Sequence, residues 1–311
     1  MVHALLISAP WWAWLGFHLL VLLVLALDLG LCNRDARAPG LGEAALWSGI
    51  WIALALAFNG VIWRFLGGLP AAEFLTGYLL EKALSVDNLF VFVLVFTAFR
   101  VAPRHQHRIL YWGVLGALAM RAVMILAGTA LLNRFAWMTF VFGGFLIYTG
   151  VKLMFGQELA AGDPSTGFIA RLFQRIVPFD PDGGHERPWL RGRATPMLLV
   201  LVIVECTDLL FAVDSIPAVL AVTRNPFLVY TSNIFAILGL RSLYFLLARM
   251  VDRFHRLKWG LAVILAFVGL KMCLAPFLDL SIRISLAFIA AVLAGGIGAS
   301  LVWPSNPEKP S

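Results

Sequence analysis

Carboxylates set at membrane depth are the groups in this chain whose types and spacing could do chemistry. The stretch ECTDLLFAVDSIP (205–217) places Glu205, Asp208 and Asp214 inside an otherwise apolar run, 197–222. An acid at the centre of a membrane helix costs about 2.5–3.5 kcal/mol to insert, and such groups face polar cavities and mark ion or proton pathways. A second acidic stretch, EKALSVDN (81–88), repeats the pattern with Glu81 and Asp87. With Asp28 there are six deep acids, against five deep bases: Lys82, Arg121, Lys152, Arg241 and Lys271. Like carboxylates crowded together raise one another's pKa unless a cation or a proton joins them. Alternation between the two is the simplest chemistry of a cation/proton exchanger. The oxygens on offer are these carboxylates with Asn88, Ser85 and Ser215, an all-oxygen set that suits Mg²⁺, Ca²⁺ or Mn²⁺ as a transported ion. No prosthetic group is expected.

Helical spacing gathers part of this set. Glu81, Ser85 and Asn88 share one stripe, and Glu205, Asp208 and Ser215 share another. Asp87 and Asp214 lie about 100–120° off those stripes in regular helices. They therefore either face a second helix or sit where the helix unwinds, and Pro217 makes an interruption the expectation in the 205–217 segment. The competing reading is structural: Asp87–Arg121 and Asp214–Arg241 as ion pairs between spans, with Asp28 a packing partner and Lys82 a counter-ion or a snorkelling side chain.

The elements that must position these groups are membrane helices. Of 311 residues, 61% are hydrophobic and 13% charged, about half the charged fraction of soluble domains. The net charge of +7 sits in short loops, which is a topology signal and not a nucleic-acid surface. Nine spans are expected: 10–31, 44–66, 71–98, 108–132, 136–154, 196–222, 228–249, 258–278 and 283–303. The first lacks a basic leader before Trp11 and reads as an uncleaved span. Arg and Lys cluster after spans one, three, five and seven, so the N-terminus is expected outside and the C-terminus in the cytoplasm. In the cytoplasmic loop 155–195, FIARLFQRIV (168–177) reads as an interfacial helix lying on anionic lipid. DPDGGHERP after it reads as a solvated turn rather than a metal site, despite Asp180, Asp182, His185 and Glu186. The tail 304–311 reads as disordered. Cys32, Cys206 and Cys273 have no redox or metal spacing. The whole chain reads as one membrane transport domain, 1–311.

The spans contain a duplication. SVDNL (85–89) aligns with AVDSI (212–216), Glu81 with Asp208, LAMRA (118–122) with LGLRS (238–242), and TGVKLM (149–154) with VGLKMC (268–273). The Arg-to-Lys interval is 31 residues in one copy and 30 in the other. Because spans three and six enter from opposite sides, 71–154 and 196–278 form two inverted three-helix repeats, with a site expected at their interface. Glu205 aligns with Tyr78 and has no acidic counterpart, which suggests a proton-carrying role. The fold class is thus all-α: a polytopic membrane protein of about nine helices, acting as a secondary transporter and not as an enzyme.

EKALSVDNLFVF (81–92), VECTDLLFAVDSIPAVLAVT (204–223), YTSNIFAILGLRSLYF (230–245) and LALDLG (25–30) resemble the TerC/Alx integral membrane family. The resemblance covers about 25–280 and departs mainly in the 155–195 loop. It implies a manganese exporter of the bacterial inner membrane, with Asp28, Glu81, Asp87, Glu205, Asp208 and Asp214 as the matching acids. The family's link to tellurium resistance supplies the alternative, a non-transporting component of a metal-stress complex. The implied partners are divalent ions, protons and the lipid bilayer.

Overall fold

The computed structural model describes residues 10–32, 40–155, 167–184, 186–247, 257–278 and 280–302. Its order is α1 (Trp11–Cys32), α2 (Leu41–Leu66), α3 (Gly68–Ala98), α4 (Pro103–Arg134), α5 (Met138–Met154), α6 (Phe168–Ile176), β1 (Trp189–Leu190), β2 (Arg193–Ala194), α7 (Pro196–Leu220), α8 (Pro226–Leu238), α9 (Leu240–Leu247), α10 (Leu257–Leu274) and α11 (Ile282–Val302). Each expected span falls on a helix, span seven being divided between α8 and α9. Five of these segments are long and apolar enough to cross a membrane: α2, most of α4, α7, the α8–α9 span and α11. The expectations for the Asp28 and Asp87 side chains, and for the tail 304–311, lie outside the described residues.

Local chemistry fixes the helix starts. Pro103, Pro196 and Pro226 each stand in the first turn, where a missing N–H costs nothing. The Asn225 side chain caps α8 by accepting from the N–H groups of Phe227 (3.0 Å) and Leu228 (3.4 Å). α8 is buried from Phe227 to Leu238 apart from Tyr230, as befits a central helix. It packs along α3 while α7 packs along α4, and α3 and α7 also touch each other.

α5 and α10 pack most closely. A β-carbon on Gly143 would lie 2.9 Å from the Gly269 carbonyl oxygen, and one on Gly150 2.8 Å from that of Ala262. Small residues let the two backbones meet, the usual device where lipid supplies no hydrophobic drive. The aligned interval of 119 residues that pairs Lys152 with Lys271 also pairs Gly143 with Ala262 and Gly150 with Gly269. Exchanging the copies therefore turns the contact 143–269 into the contact 262–150.

One expectation is corrected. α7 runs unbroken through Pro217 to Leu220; the proline removes only the donor to the Val213 carbonyl, and pairing resumes beyond it, Ala221 N–H donating to the Pro217 carbonyl at 3.0 Å. The break occurs instead at Gly239, between α8 and α9. The solvated turn expected after α6 is held at its ends by backbone bonds. Ala194 N–H donates to the Pro178 carbonyl (2.8 Å), Asp180 N–H to that of Ala194 (2.9 Å) and Thr195 N–H to that of Pro188 (3.1 Å). Arg191 and Gly192, both with φ in the left-handed region at 50° and 77°, close the β1–β2 hairpin as a two-residue turn requires.

Candidate functional site

Arg121, midway along α4, is fully buried. Its side chain meets Asp208 of α7 side-on, Nε donating to Oδ2 at 3.2 Å and Nη2 to Oδ1 at 2.9 Å. Nη1 donates to Glu81 of α3 and, at 3.1 Å, to Asn233 Oδ1 of α8. Asn233 Nδ2 in turn donates to Glu81 Oε2 at 2.9 Å. Asn88 Nδ2 reaches Asp208 Oδ1 at 3.3 Å, and Ser85 Oγ reaches Glu81 Oε1 at 3.5 Å. Four helices thus converge on one guanidinium and two carboxylates, all at most 3% exposed. The bidentate fork is the strong form of such a bond. A buried charge of this kind is tolerable only while its partners stay in place.

Glu205 lies one helical turn before Asp208 and points at α4. Its carboxylate occupies a notch left by Gly116, where a β-carbon would overlap it, with Gly113 at the rim. Oε2 is buried and has no hydrogen-bond partner among the described residues. Beside it is a cavity of about 20 Å³ whose lining includes Glu205, Asp208, Arg241, Gly113, Phe92 and Ile237, room for about one water or a bare ion.

The remaining charges lie elsewhere. Asp214 faces α5, accepts from Thr149 Oγ1 at 3.2 Å and is within electrostatic reach of Lys152. Both helices carrying Asp87 and Asp214 are regular at those positions. For Asp214, then, facing a second helix is the answer rather than local unwinding. Lys271 donates to Ser285 Oγ at 2.9 Å and feels Glu73, which accepts from Thr223 Oγ1 at 2.7 Å. Lys82 Nζ donates to the Ala236 carbonyl at 3.2 Å, in the last turn of α8. The ion pairs weighed from sequence are therefore redrawn: Arg121 belongs to Glu81 and Asp208, Asp214 meets Thr149, and Arg241 lines the Glu205 cavity. Ser215 is buried with its hydroxyl unpartnered among the described residues.

The structure brings together Glu81, Ser85, Asn88, Arg121 and Asp208, with Glu205 and Arg241 alongside. It leaves Asp214, Lys152, Lys82 and Lys271 outside that group. Among the described residues no three His, Cys, Asp or Glu side chains converge as a ready metal shell. Sequence reasoning missed Asn233, although a lone amide in the apolar stretch YTSNIFAIL was signal enough, and Glu73, at the very edge of span three.

Comparison with known proteins agrees with this picture of a polytopic membrane protein. The description Integral membrane protein TerC family matches residues 67–308. A membrane protein of Myxococcus xanthus is 51% identical over 293 residues, covering 93% of this chain and 92% of its own. Alx of Escherichia coli (strain K12), whose name proposes a membrane-bound redox modulator, is 44% identical over 292 residues, covering 90% and 91%. A Rickettsia bellii membrane protein is 34% identical over 294 residues, covering 93% and 97%. No solved structure matches the chain. By the extent of these matches, the chain belongs to the TerC family of integral membrane proteins.

Proposed function

We propose that the protein is a secondary transporter that exports a divalent cation, Mn²⁺ first among the candidates, in exchange for protons across the bacterial inner membrane. The observation that carries this reading is the buried group formed by Arg121, Glu81, Asp208 and the adjoining Glu205. Two carboxylates against one guanidinium leave one negative charge, and an ionised Glu205 makes two. A single divalent cation neutralises that charge, and protonation removes part of it. In the arrangement described, Arg121 holds both carboxylates, so an arriving cation must displace the guanidinium from at least one of them. Asn88, Ser85 and Asn233 supply neutral oxygens beside the same carboxylates, the hard ligands that Mn²⁺, Ca²⁺ and Mg²⁺ accept. Glu205, with a bare oxygen at a water-sized cavity, is the acid suited to carry the proton. Asp28, Asp87 and Asp214 are assigned to the cation's path.

The reciprocal contacts Gly143–Gly269 and Gly150–Ala262 support the inverted repeat, an architecture that places transport sites between its halves. The orientation follows from the arginine-rich loops, with the N-terminus outside and the C-terminus in the cytoplasm.

The test is Mn²⁺ uptake into inside-out vesicles under an acid-inside pH gradient, with Ca²⁺ and Mg²⁺ as competitors. Uptake by the parent and its loss in Asp208→Asn and Glu81→Gln are expected. Equal uptake by those variants at equal expression sinks the site assignment. The alternative, a non-transporting component of a metal-stress complex, draws on the ordered platform built by residues 177–195. It predicts that deleting 160–190 abolishes metal tolerance in cells while neutralising the buried acids does not.

A further inference from the structure

α6 carries two apolar stripes, and only one of them is used by the protein. Ala170 is fully buried, and Ile169 and Phe173 pack beside it on a cluster that includes Met197, Val200, Ile109 and Leu110. Those four belong to the first two turns of α7 and α4, so α6 is docked at one end of the helix bundle, at the level where a membrane gives way to water. The second stripe, Phe168, Leu172 and Ile176, is 72%, 43% and 70% exposed. Sequence analysis expected this helix to lie on lipid; the structure docks part of its apolar surface on the bundle.

At about 100° per residue, the exposed stripe spans roughly 0–80° from Phe168, the docked face about 100–200°, and Arg171 and Arg175 about 300–340°. The arginines thus flank the bare stripe on the side away from the protein, and both are exposed. α6 has no acid; Asp180, Asp182 and Glu186 fall in the turn between α6 and the hairpin, and Glu158 and Asp163 precede α6 in the sequence. That hairpin adds exposed Arg191 and Arg193 beside Trp189, itself 50% exposed. The platform is held rigid by the backbone bonds described above and by Arg108 Nη1, which donates to the Glu186 carbonyl at 2.7 Å from the first turns of α4.

We infer that α6 and the adjoining hairpin form a built site for anionic phospholipid. The Phe168–Leu172–Ile176 stripe lies on acyl chains, and Arg171 and Arg175 hold the headgroup phosphate. A basic residue close to an anionic surface favours it several-fold, so two arginines give a preference on the order of tenfold over a zwitterionic lipid. The apolar stripe distinguishes this ligand from a free phosphate, which has no use for it. The inference does not depend on the transport reading.

The experiment uses the full chain in detergent micelles holding equal phosphatidylglycerol and phosphatidylcholine, with the retained lipids counted by mass spectrometry. Arg171→Gln/Arg175→Gln is expected to cut the phosphatidylglycerol preference by about tenfold, whereas Arg171→Lys/Arg175→Lys keeps most of it. Arg253→Gln/Arg256→Gln, the same change of charge on another loop, is expected to leave it nearly intact. Phe168→Ser/Ile176→Ser is expected to lower retention of both lipids. Every variant is judged on the fraction that elutes as the parent does. An unchanged preference in Arg171→Gln/Arg175→Gln overturns the proposal, as does an equal fall in the control. Displacement of phosphatidylglycerol by millimolar glycerol phosphate also overturns it, by marking a free-anion site.

Discussion

The two aligned segments, 71–154 and 196–278, carry matched residues and put them to different uses. Arg121 is sealed between Glu81 and Asp208, whereas its counterpart Arg241 lines a cavity with Glu205. α4 is one continuous helix, while its counterpart is divided into α8 and α9 at Gly239, which aligns with Ala119. Lys82 reaches into that break, and the residue aligned with it is Leu209. Glu205 sits in the notch of Gly116, while its counterpart Tyr78 lies stacked on Phe74. Asn233, which ties Glu81 to Arg121, aligns with Gly113. A duplicated scaffold thus carries an asymmetric load: one copy supplies a fixed positive centre, the other a cavity and a broken helix.

The sharpest way to break this comparison is at the two arginines. Arg121→Gln leaves two buried carboxylates without their cation and is expected to cost about 3–5 kcal/mol. Thermal unfolding in detergent is the readout, with Arg241→Gln losing much less. Equal losses would erase the claimed difference between the copies. Next comes the notch. Gly116→Ala drives a β-carbon into the Glu205 carboxylate and is expected to lower transport at least tenfold. Glu205→Asp, shorter by one methylene, is expected to restore part of the activity in the double variant. Ala236→Gly, at the aligned position in copy two, is expected to change transport little and to cost about 1 kcal/mol of helix stability.

A smaller effect attends Asn233→Ala, which removes hydrogen bonds to both Glu81 and Arg121 and is expected to cost about 1–3 kcal/mol. The smallest is Thr149→Val, which takes one hydroxyl from Asp214 at an expected cost of about 0.5–1.5 kcal/mol. Divalent-cation transport measured alongside should fall in the first and hold in the second. The reverse order would move the centre of the site from Asp208 to Asp214.

Much of this was legible in the sequence because lipid leaves few choices. Apolar length fixed the spans, and the acids stood out against them. The helix 168–177 was readable from its period alone. What sequence could not give is which charge meets which. Glu81 and Asp208 lie 40 and 87 residues from Arg121, and the pairing is set by how α3, α7 and α8 close around α4. Sequence logic favoured partners within each copy, whereas the structure shares Arg121 between copies. The helix break was placed at Pro217 because proline is the louder signal. Gly239 is quieter, and its role depends on a side chain 157 positions away in the sequence: a β-carbon there would lie 2.8 Å from Lys82 Nζ and 3.2 Å from Trp51 Cβ.

The interruption at Gly239 also separates two mechanical jobs that a single helix would fuse. α8 is anchored to α3 by Asn233 and Glu81, so it moves with the charged centre. α9 packs chiefly on α2, outside both repeats, and carries Arg241. The Lys82 ammonium stabilises the negative carbonyl end of α8 at the break. Swinging α9 about it would alter the charge facing Glu205 while Asn233 stays in place. The chain thus keeps Arg121 on a continuous helix and sets Arg241 just beyond a helix break.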